Sequence, residues 1–331
     1  MTLAAGIDLG AGAVKTALFD VSDGEAKWLA RSSSRIRRRD PLVLAREGYD
    51  GMLRELDLDP ELVDYVATTG DGENISFRTG HFYSMTTHAR GATFLSPGIN
   101  AVVDIGALHG RAISTDERGK VLTYKMTSQC ASGSGQFLEN IARYLGVALE
   151  EVGSISKTAD NPETVSSICA VLAETDVINM ISRGITTANI LKGIHISMAS
   201  RLVKLLKSIK ARDGSVLLTG GLAVDEGLVE AMEEQVVEQK LKVKVLTHPE
   251  SIYAGAIGAA LWGAFRHEKL LRAKHGVPSP NMEAYDTGSP VLAVDLGEEE
   301  VVCPRTSVAE PKSGAGPIDL ISESNNQEKN T

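Results

Sequence analysis

Short hydrophobic runs with two different periodicities alternate along the chain. The opening segment AAGIDLGAGAVKTALFDV has apolar flanks on both sides of a Gly-Ala-Gly-Ala centre, which predicts a strand, a tight turn and a second strand. Further strands are predicted in VDYVATTG, INAVVDIGALHGRAIS, SVLLTGG and VKVL, and helices at 41–56, 136–146, 170–182, 185–210, 225–239 and 251–272. Strands and helices that alternate in this way predict an α/β fold.

The segment INAVVDIGALHGRAIS repeats the plan of the opening segment. Asp104 and Gly106 take the places that Asp8 and Gly10 occupy in the first copy. Both pairs lie where an apolar strand reaches a glycine-containing turn. The repetition indicates an internal duplication, with two similar halves that face each other.

The duplication divides the chain into three predicted regions. Residues 1–100 form the first half and residues 101–272 the second, which contains two of the cysteines. We expect the last helix, 251–272, to pack back on the first half. Residues 273–331 are rich in Pro, Gly, Ser, Glu and Asn, and this composition is typical of a flexible extension.

The composition excludes several classes of function. A net charge of −9 over 331 residues disfavours broad nucleic-acid or acidic-membrane binding surfaces. The sequence contains no signal peptide and no apolar run long enough to span a membrane, so we expect a cytoplasmic protein. The three cysteines, Cys130, Cys169 and Cys303, are too few for a disulfide scaffold.

The glycine turns that end the apolar strands are suited to binding the phosphates of a nucleotide. Glycine allows backbone N–H groups to approach phosphate oxygens closely. Asp8 lies at a strand end, where a carboxylate can hold a hydrated Mg²⁺ ion, and Asp104 approaches the same phosphates from the other half. These two aspartates are the predicted catalytic residues, and the predicted nucleotide-binding residues are Gly10, Ala11, Gly12, Ala13, Lys15, Gly106, Gly220 and Gly221.

These motifs resemble those of the hexokinase–actin–heat-shock-protein superfamily of ATPases. The resemblance is carried by GIDLGAGAVK, VVDIGA, LLTGGLA and HPESIYAGAIGAALWGA over roughly residues 4–265. It implies two ribonuclease-H-like domains that close over ATP and Mg²⁺. Relatives often have Ser or Thr in the first turn, whereas this chain has Ala11 and Ala13, so phosphate binding would depend on backbone donors and Lys15.

Two cysteines precede predicted helices in the second half. QCASGSGQFLENIARYLG and SSICAVLAETDVINMISRG resemble the activator ATPases of 2-hydroxyacyl-CoA dehydratases and the ATPase subunits of benzoyl-CoA reductase. The resemblance implies one [4Fe–4S] cluster shared between two subunits, with Cys130 and Cys169 as this chain's ligands. The residues agree with that, since such a cluster takes four thiolates and a second subunit supplies the other two. Small buried core residues and zinc bound across a dimer are the alternatives.

Other segments resemble the D-type ATPase subunit of class I benzoyl-CoA reductases most closely. They include FYSMTTHARGA, SRGITTANILKGIHISMASRL and DIGALHGRA, where Leu108 and His109 replace residues common in the activators. His81 and His88, which flank the first of these segments, lack a third ligand and are interpreted as structural.

The resemblance also implies partners and a reaction. Such a subunit pairs with a homologous, longer ATPase subunit and uses ATP hydrolysis to drive low-potential electrons from reduced ferredoxin to two ring-reducing subunits, in anaerobic aromatic degradation. A homodimeric activator of a 2-hydroxyacyl-CoA dehydratase is the main alternative. A small-molecule kinase of the same superfamily and a nucleotide-dependent switch without hydrolysis are the others.

Overall fold

Two five-stranded mixed sheets carry the fold, and their strands follow the same plan. The first sheet has the order β3-β2-β1-β4-β5 and the second the order β8-β7-β6-β9-β10. In each, three antiparallel strands are followed by a strand that pairs in parallel with the first of them, β4 with β1 and β9 with β6. The strands are β1 (Thr2–Leu9), β2 (Ala13–Ser22), β3 (Glu25–Arg35), β4 (Tyr65–Gly70), β5 (Gly80–His81), β6 (Ala101–Ile105), β7 (Gly110–Thr115), β8 (Val121–Met126), β9 (Gly214–Thr219) and β10 (Val243–Leu246).

The computed structural model divides the chain into Met1–Leu292 and Ala293–Thr331, and the second unit contains no described residue. The described residues are 1–22, 24–116, 119–127, 134–163, 165, 170–211 and 213–275, without the side chains of 170–172. The helices are α1 (Pro41–Glu55), α2 (Ser84–Leu95), α3 (Gly135–Tyr144), α4 (Val152–Ser156), α5 (Ala170–Ser182), α6 (Thr187–Ser208), α7 (Glu226–Glu238) and α8 (Ala254–Lys274). The predicted α/β class is confirmed. Among the described helices, none is long and apolar enough to cross a membrane.

Strand β1 is buried along its whole length because helices cover both of its faces. Its odd-numbered residues, including Ile7 and Leu9, pack in one cluster with Leu44 and Met52 of α1. Its opposite face meets α8, and a side chain on Gly6 would lie 2.0 Å from the carbonyl oxygen of Ala256. The absence of a side chain at this position therefore lets the helix backbone rest directly on the strand.

Strand β6 repeats this arrangement in the second sheet. Val103 and Ile105 face a large cluster that includes residues of α3, α5, α6 and α7, whereas Val102 faces Ala89 and Ala92 of α2. Helices α2 and α8 therefore lie on the inner faces of the two sheets.

Helices α2 and α8 also contact each other through small residues. A side chain on Gly91 would lie 1.9 Å from the carbonyl oxygen of Ala254, and one on Gly258 would lie 1.8 Å from that of Thr87. The two helix backbones are thus in direct contact. This crossing brings the first turn of α8 and the middle of α2 to the ends of strands β1 and β6.

Candidate active site between the two sheets

Two turns of the same design follow strands β1 and β6. In the first turn, residues 10–13, the N–H of Gly10 donates to the carbonyl of Ala13 at 3.1 Å. In the second turn, residues 106–109, the N–H of Gly106 donates to the carbonyl of His109 at 2.9 Å. The turns face each other, since a side chain on Gly12 would lie 3.2 Å from Cβ of Ala107.

The second turn is hydrogen bonded to the start of α3, the helix that follows Cys130 in the sequence. The N–H of Gly135 donates to the carbonyl of Gly106 at 2.9 Å, and the N–H of Gln136 donates to that of Ala107 at 2.8 Å. A displacement of this turn would therefore be transmitted directly to α3.

Asp8 is a buried carboxylate with little direct coordination. It lies in β1, 5% exposed, and pairs in register with Lys15 of β2. The Lys15 Nζ lies 4.0 Å from its Oδ2 atom, as does Nε2 of His88. Among the described residues, its carboxylate accepts no hydrogen bond. A carboxylate in this condition is suited to hold a cation or its hydration water.

Asp104 occupies the corresponding position in β6 but is firmly paired. Arg111, its partner in register on β7, donates from Nε to Oδ2 at 2.9 Å and from Nη2 to the same atom. Burial alone would raise the pKa of Asp104, but the neighbouring His88 and the guanidinium of Arg111 hold that pKa below its ordinary range. Asp104 is therefore ionised at neutral pH.

His88 of α2 lies between these two aspartates. Its Nδ1 atom is 3.0 Å from Oγ1 of Thr219 and 3.4 Å from Oδ1 of Asp104, and its side chain is buried. Burial lowers the pKa of His88, against the opposing effect of Asp104 and Asp8. The imidazole is consequently neutral at neutral pH and touches elements of both sheets.

Thr219 and Gly220 form the end of β9 beside Asp104. Thr219 pairs in register with Asp104 as Thr69 of β4 pairs with Asp8. Gly220 has a φ of 89°, and a side chain there would lie 2.5 Å from Oδ1 of Asp104. Only glycine satisfies both conditions, whereas a side chain on Gly221 would meet no atom within 4 Å.

This difference between adjacent glycines gives a stability prediction. Gly220→Ala is expected to lower the free energy of unfolding by at least about 2 kcal/mol, through left-handed strain and the clash with the carboxylate. Gly221→Ala is the matched control and is expected to stay within about 0.5 kcal/mol. Urea unfolding of the nucleotide-free protein measures both, and equal losses would contradict the assignment.

The Asp104–Arg111 pair gives a prediction with a pH signature. Arg111→Met leaves a buried carboxylate without its cation, which is expected to cost about 3–5 kcal/mol of unfolding free energy at pH 7. A carboxyl group with a lowered folded-state pKa adds stability above its unfolded pKa and loses it as pH falls through the folded value. Without the guanidinium, burial raises that pKa, so the variant's deficit should shrink as pH is lowered to about 4.

Arg143→Met serves as the control for this prediction, because Arg143 forms an exposed ion pair with Glu139 on α3. Its removal is expected to cost at most about 1 kcal/mol. Unfolding curves at several pH values compare the two variants. A deficit for Arg111→Met that does not change with pH would show that its charge does not act on Asp104.

The predicted site residues lie in these elements as follows. Strand β1 carries Asp8, strand β2 begins at Ala13 and carries Lys15, and β6 carries Asp104. Gly10, Gly12 and Gly106 are partly exposed in the turns, Ala11 is fully exposed, and Gly221 is exposed beside the buried Gly220. The structure thus collects these residues around one region. Cys130 and Cys169, predicted as cluster ligands, and Cys303 lie outside the described residues.

Two residues of the site were missed from the sequence. Arg111 follows Asp104 at the same distance along the chain as Lys15 follows Asp8, so the duplication contained the signal. His88 had none, because only the packing of α2 between the sheets places it there. His81, taken together with His88 as structural, lies apart at the first sheet's edge and contacts Thr68 Oγ1 at 2.9 Å.

The arrangement is suited to a nucleotide with a hydrated magnesium ion. Two glycine turns face each other across the space between the sheets, and one buried carboxylate, Asp8, accepts no hydrogen bond within the described chain. Among the described residues, no group of three or more His, Cys, Asp or Glu side chains is placed to bind a metal directly. Mg²⁺ does not need one, because it keeps several waters and binds through few carboxylates and phosphate oxygens.

Comparison with known proteins agrees with this geometry. Residues 5–263 match the BadF/BadG/BcrA/BcrD ATPase family. The D-type subunit of benzoyl-CoA reductase from Thauera aromatica is 70% identical over 272 residues, which are 82% of this chain and 96% of that protein. The activator of lactoyl-CoA dehydratase of Anaerotignum propionicum is 33% identical over 74% of this chain and 95% of its own length.

A solved structure agrees in fold. The activator of the 2-hydroxyisocaproyl-CoA dehydratase from Clostridium difficile, solved with bound ADPNP, matches with a TM-score of 0.73 and 28% identity over 84% of this chain and 99% of its own. The two-sheet ATPase fold and the resemblance inferred from the glycine and cysteine motifs are both confirmed. The chain belongs to the BadF/BadG/BcrA/BcrD ATPase family.

Proposed function

We propose that this chain is the ATP-hydrolysing, cluster-bridging subunit of an ATP-dependent benzoyl-CoA reductase. The observation that carries the proposal is the 70% identity to the D-type subunit of a benzoyl-CoA reductase over 96% of that protein's length. Its partners are a homologous, longer ATPase subunit and two ring-reducing subunits, and reduced ferredoxin is its electron donor. The complex acts in the cytoplasm.

The nucleotide is held between the two turns in this proposal. Backbone N–H groups of Gly10, Ala11, Gly12, Ala13 and Gly106 bind phosphate oxygens, Lys15 offsets their charge, and Gly220 and Gly221 let the nucleoside lie against the backbone. Asp8 accepts from the hydration water of Mg²⁺, which supplies charge stabilisation when bound. Asp104, held by Arg111, orients the reacting groups from the second half.

Cys130 and Cys169 are this chain's ligands to a [4Fe–4S] cluster shared with the partner subunit. The helices that follow them, α3 and α5, support this, since Phe137, Leu138 and Val177 belong to one hydrophobic cluster. Helix N-termini favour thiolates and a negatively charged group through their dipoles and unpaired N–H groups.

The hydrogen bonds between the second turn and α3 provide the coupling. When the turn moves with the state of the nucleotide, α3 moves with it, because Gly135 and Gln136 are bonded directly to that turn. Lowering a one-electron potential by ~0.3 V requires about 7 kcal/mol, within reach of nucleotide turnover. The chain therefore converts ATP hydrolysis into a change at the cluster.

The experiment that tests this function uses the complex co-expressed with its neighbouring genes under strict anaerobiosis. With reduced ferredoxin and benzoyl-CoA present, ADP formation and ring reduction should start together on addition of ATP and stop together when it is exhausted. Ring reduction without ATP, or steady ATP hydrolysis unaffected by the donor and the thioester, would refute the proposal.

A homodimeric activator of a 2-hydroxyacyl-CoA dehydratase is the second candidate. It is supported by the match to a dehydratase activator with a TM-score of 0.73. In that case the chain alone would assemble a complete cluster and would restore activity to a dehydratase.

A further inference from the structure

His88 is the residue that contacts both aspartates of the site. It reaches Asp104 and Thr219 of the second sheet through Nδ1, at 3.4 and 3.0 Å, and faces Asp8 of the first sheet through Nε2, at 4.0 Å. Its side chain is 4% exposed, and α2 is held in place by its direct backbone contact with α8. The ring therefore has little freedom to turn away.

The contacts of the ring determine which nitrogen carries the proton. The ionised Asp104 accepts hydrogen bonds but donates none, and the hydroxyl of Thr219 can accept as well. The hydrogen of the neutral ring is therefore on Nδ1. This tautomer leaves Nε2 as an acceptor that faces Oδ2 of Asp8, which is also an acceptor.

Two acceptors that face each other at 4.0 Å require a shared donor. Lys15 Nζ is 4.0 Å from the same Asp8 oxygen, too far to donate a hydrogen bond to it. Gly255 keeps the space beside the pair clear of side chains, because a Cβ there would lie 2.6 Å from Oδ2 of Asp8 and 2.9 Å from Nε2 of His88. A water molecule has the required chemistry, since it can donate to both acceptors.

We propose that His88 is a positioning residue of the nucleotide site, which holds Asp104 through Nδ1–H and, with Asp8, accepts hydrogen bonds from a water of the hydrated magnesium ion through Nε2. The inference rests on the proposed nucleotide site and names the residue that links its two halves. His88 does not bind the metal itself; it fixes the distance between the carboxylates and the orientation of the hydration shell.

Nitrogen NMR of the full chain labelled with ¹⁵N-histidine tests the tautomer directly. The sequence contains seven histidines, and the signals lost in His88→Asn identify those of His88. In the nucleotide-free protein we expect a protonated Nδ1 and an unprotonated Nε2, with the Nε2 signal shifted by Asp8→Asn and the Nδ1 signal by Asp104→Asn. A ring protonated on Nε2, or signals that respond to neither variant, would overturn the proposal.

Magnesium-dependent binding of ADP, measured by calorimetry, tests the positioning role. An asparagine amide occupies the place of Nδ1 but does not reach that of Nε2, so His88→Asn should raise the Mg²⁺ concentration for half-maximal ADP binding about 10–100-fold. His267→Asn, which changes a histidine near Asp64 outside the site, should leave this concentration within about twofold. Equal Mg²⁺ requirements for His88→Asn and the parent protein would contradict the role.

The two measurements separate this inference from the proposed function. If the parent protein bound no magnesium nucleotide, the proposed function would fail, and so would the role of His88 toward the hydration shell. The nitrogen signals of the nucleotide-free protein would still decide whether His88 links the two carboxylates.

Discussion

Asp8→Asn is expected to reduce magnesium-dependent ATP hydrolysis by more than about 100-fold. Asp8 is the one of the two site aspartates that accepts no hydrogen bond within the described chain, so it is the carboxylate available to a cation and its waters. An amide has nearly the same shape but no charge, and the loss should exceed the 10–100-fold typical of residues that act one layer further out. Steady-state phosphate release over a range of Mg²⁺ concentrations measures the effect.

Asp50→Asn is the matched control for this substitution. Asp50 lies on α1 and pairs with Arg46 at 2.9 Å, away from the two turns. Its ATP hydrolysis should equal that of the parent protein within about twofold. If Asp8→Asn kept the parent rate at saturating Mg²⁺, Asp8 would be excluded as the carboxylate that serves the metal.

Cys130→Ser and Cys169→Ser are each expected to remove the iron–sulfur cluster. A serine hydroxyl is a poor ligand for iron in such clusters, which are held by thiolates. Iron should fall from about four per pair of ATPase subunits to near zero, together with the EPR signal of the reduced sample. ATP binding should persist, since neither cysteine belongs to the two turns.

Cys303→Ser separates ligands from other cysteines. It lies in the C-terminal region to which no role is assigned, so its iron content should match that of the parent protein. Full iron in Cys130→Ser and Cys169→Ser would return these cysteines to the role of core residues. Loss of iron in Cys303→Ser would identify it as a ligand that the resemblance did not include.

The sequence predicted the elements whose apolar patterns are strong. Both strand–turn–strand segments, the helix predicted at 170–182 and the long helix predicted at 185–210 appear with nearly the same bounds, as Ala170–Ser182 and Thr187–Ser208 for the two helices. Their burial is continuous or clearly periodic, and the glycines mark the turns. The duplication was visible because both halves need the same aspartate and glycine at the same strand end.

Other elements were missed because tertiary contacts define them. Strand β3 is mostly polar and buries only Ala30, because it is the edge strand of its sheet. Helix α2 has small and polar residues where it meets α8, so its sequence shows little hydrophobic periodicity. With α2 missed, nothing placed His88 between the two aspartates.

Lys15 and Arg111 show how the two halves have diverged within one plan. Both residues lie on the strand beside their aspartate and in register with it. Only Arg111 reaches its partner, through a planar group suited to pairing with a carboxylate, whereas the Lys15 Nζ stays 4.0 Å away. This asymmetry leaves Asp8 to the metal and Asp104 to positioning.

The most direct test of the account is the iron and acid-labile sulfide content of anaerobically purified protein, with EPR of the dithionite-reduced sample. The chain is prepared alone and together with its neighbouring genes. The account predicts about four irons per pair of ATPase subunits, appearing only when the homologous partner subunit is present. A full cluster in the chain alone would identify a homodimeric activator, and no iron in either preparation would contradict the proposed electron-transfer function.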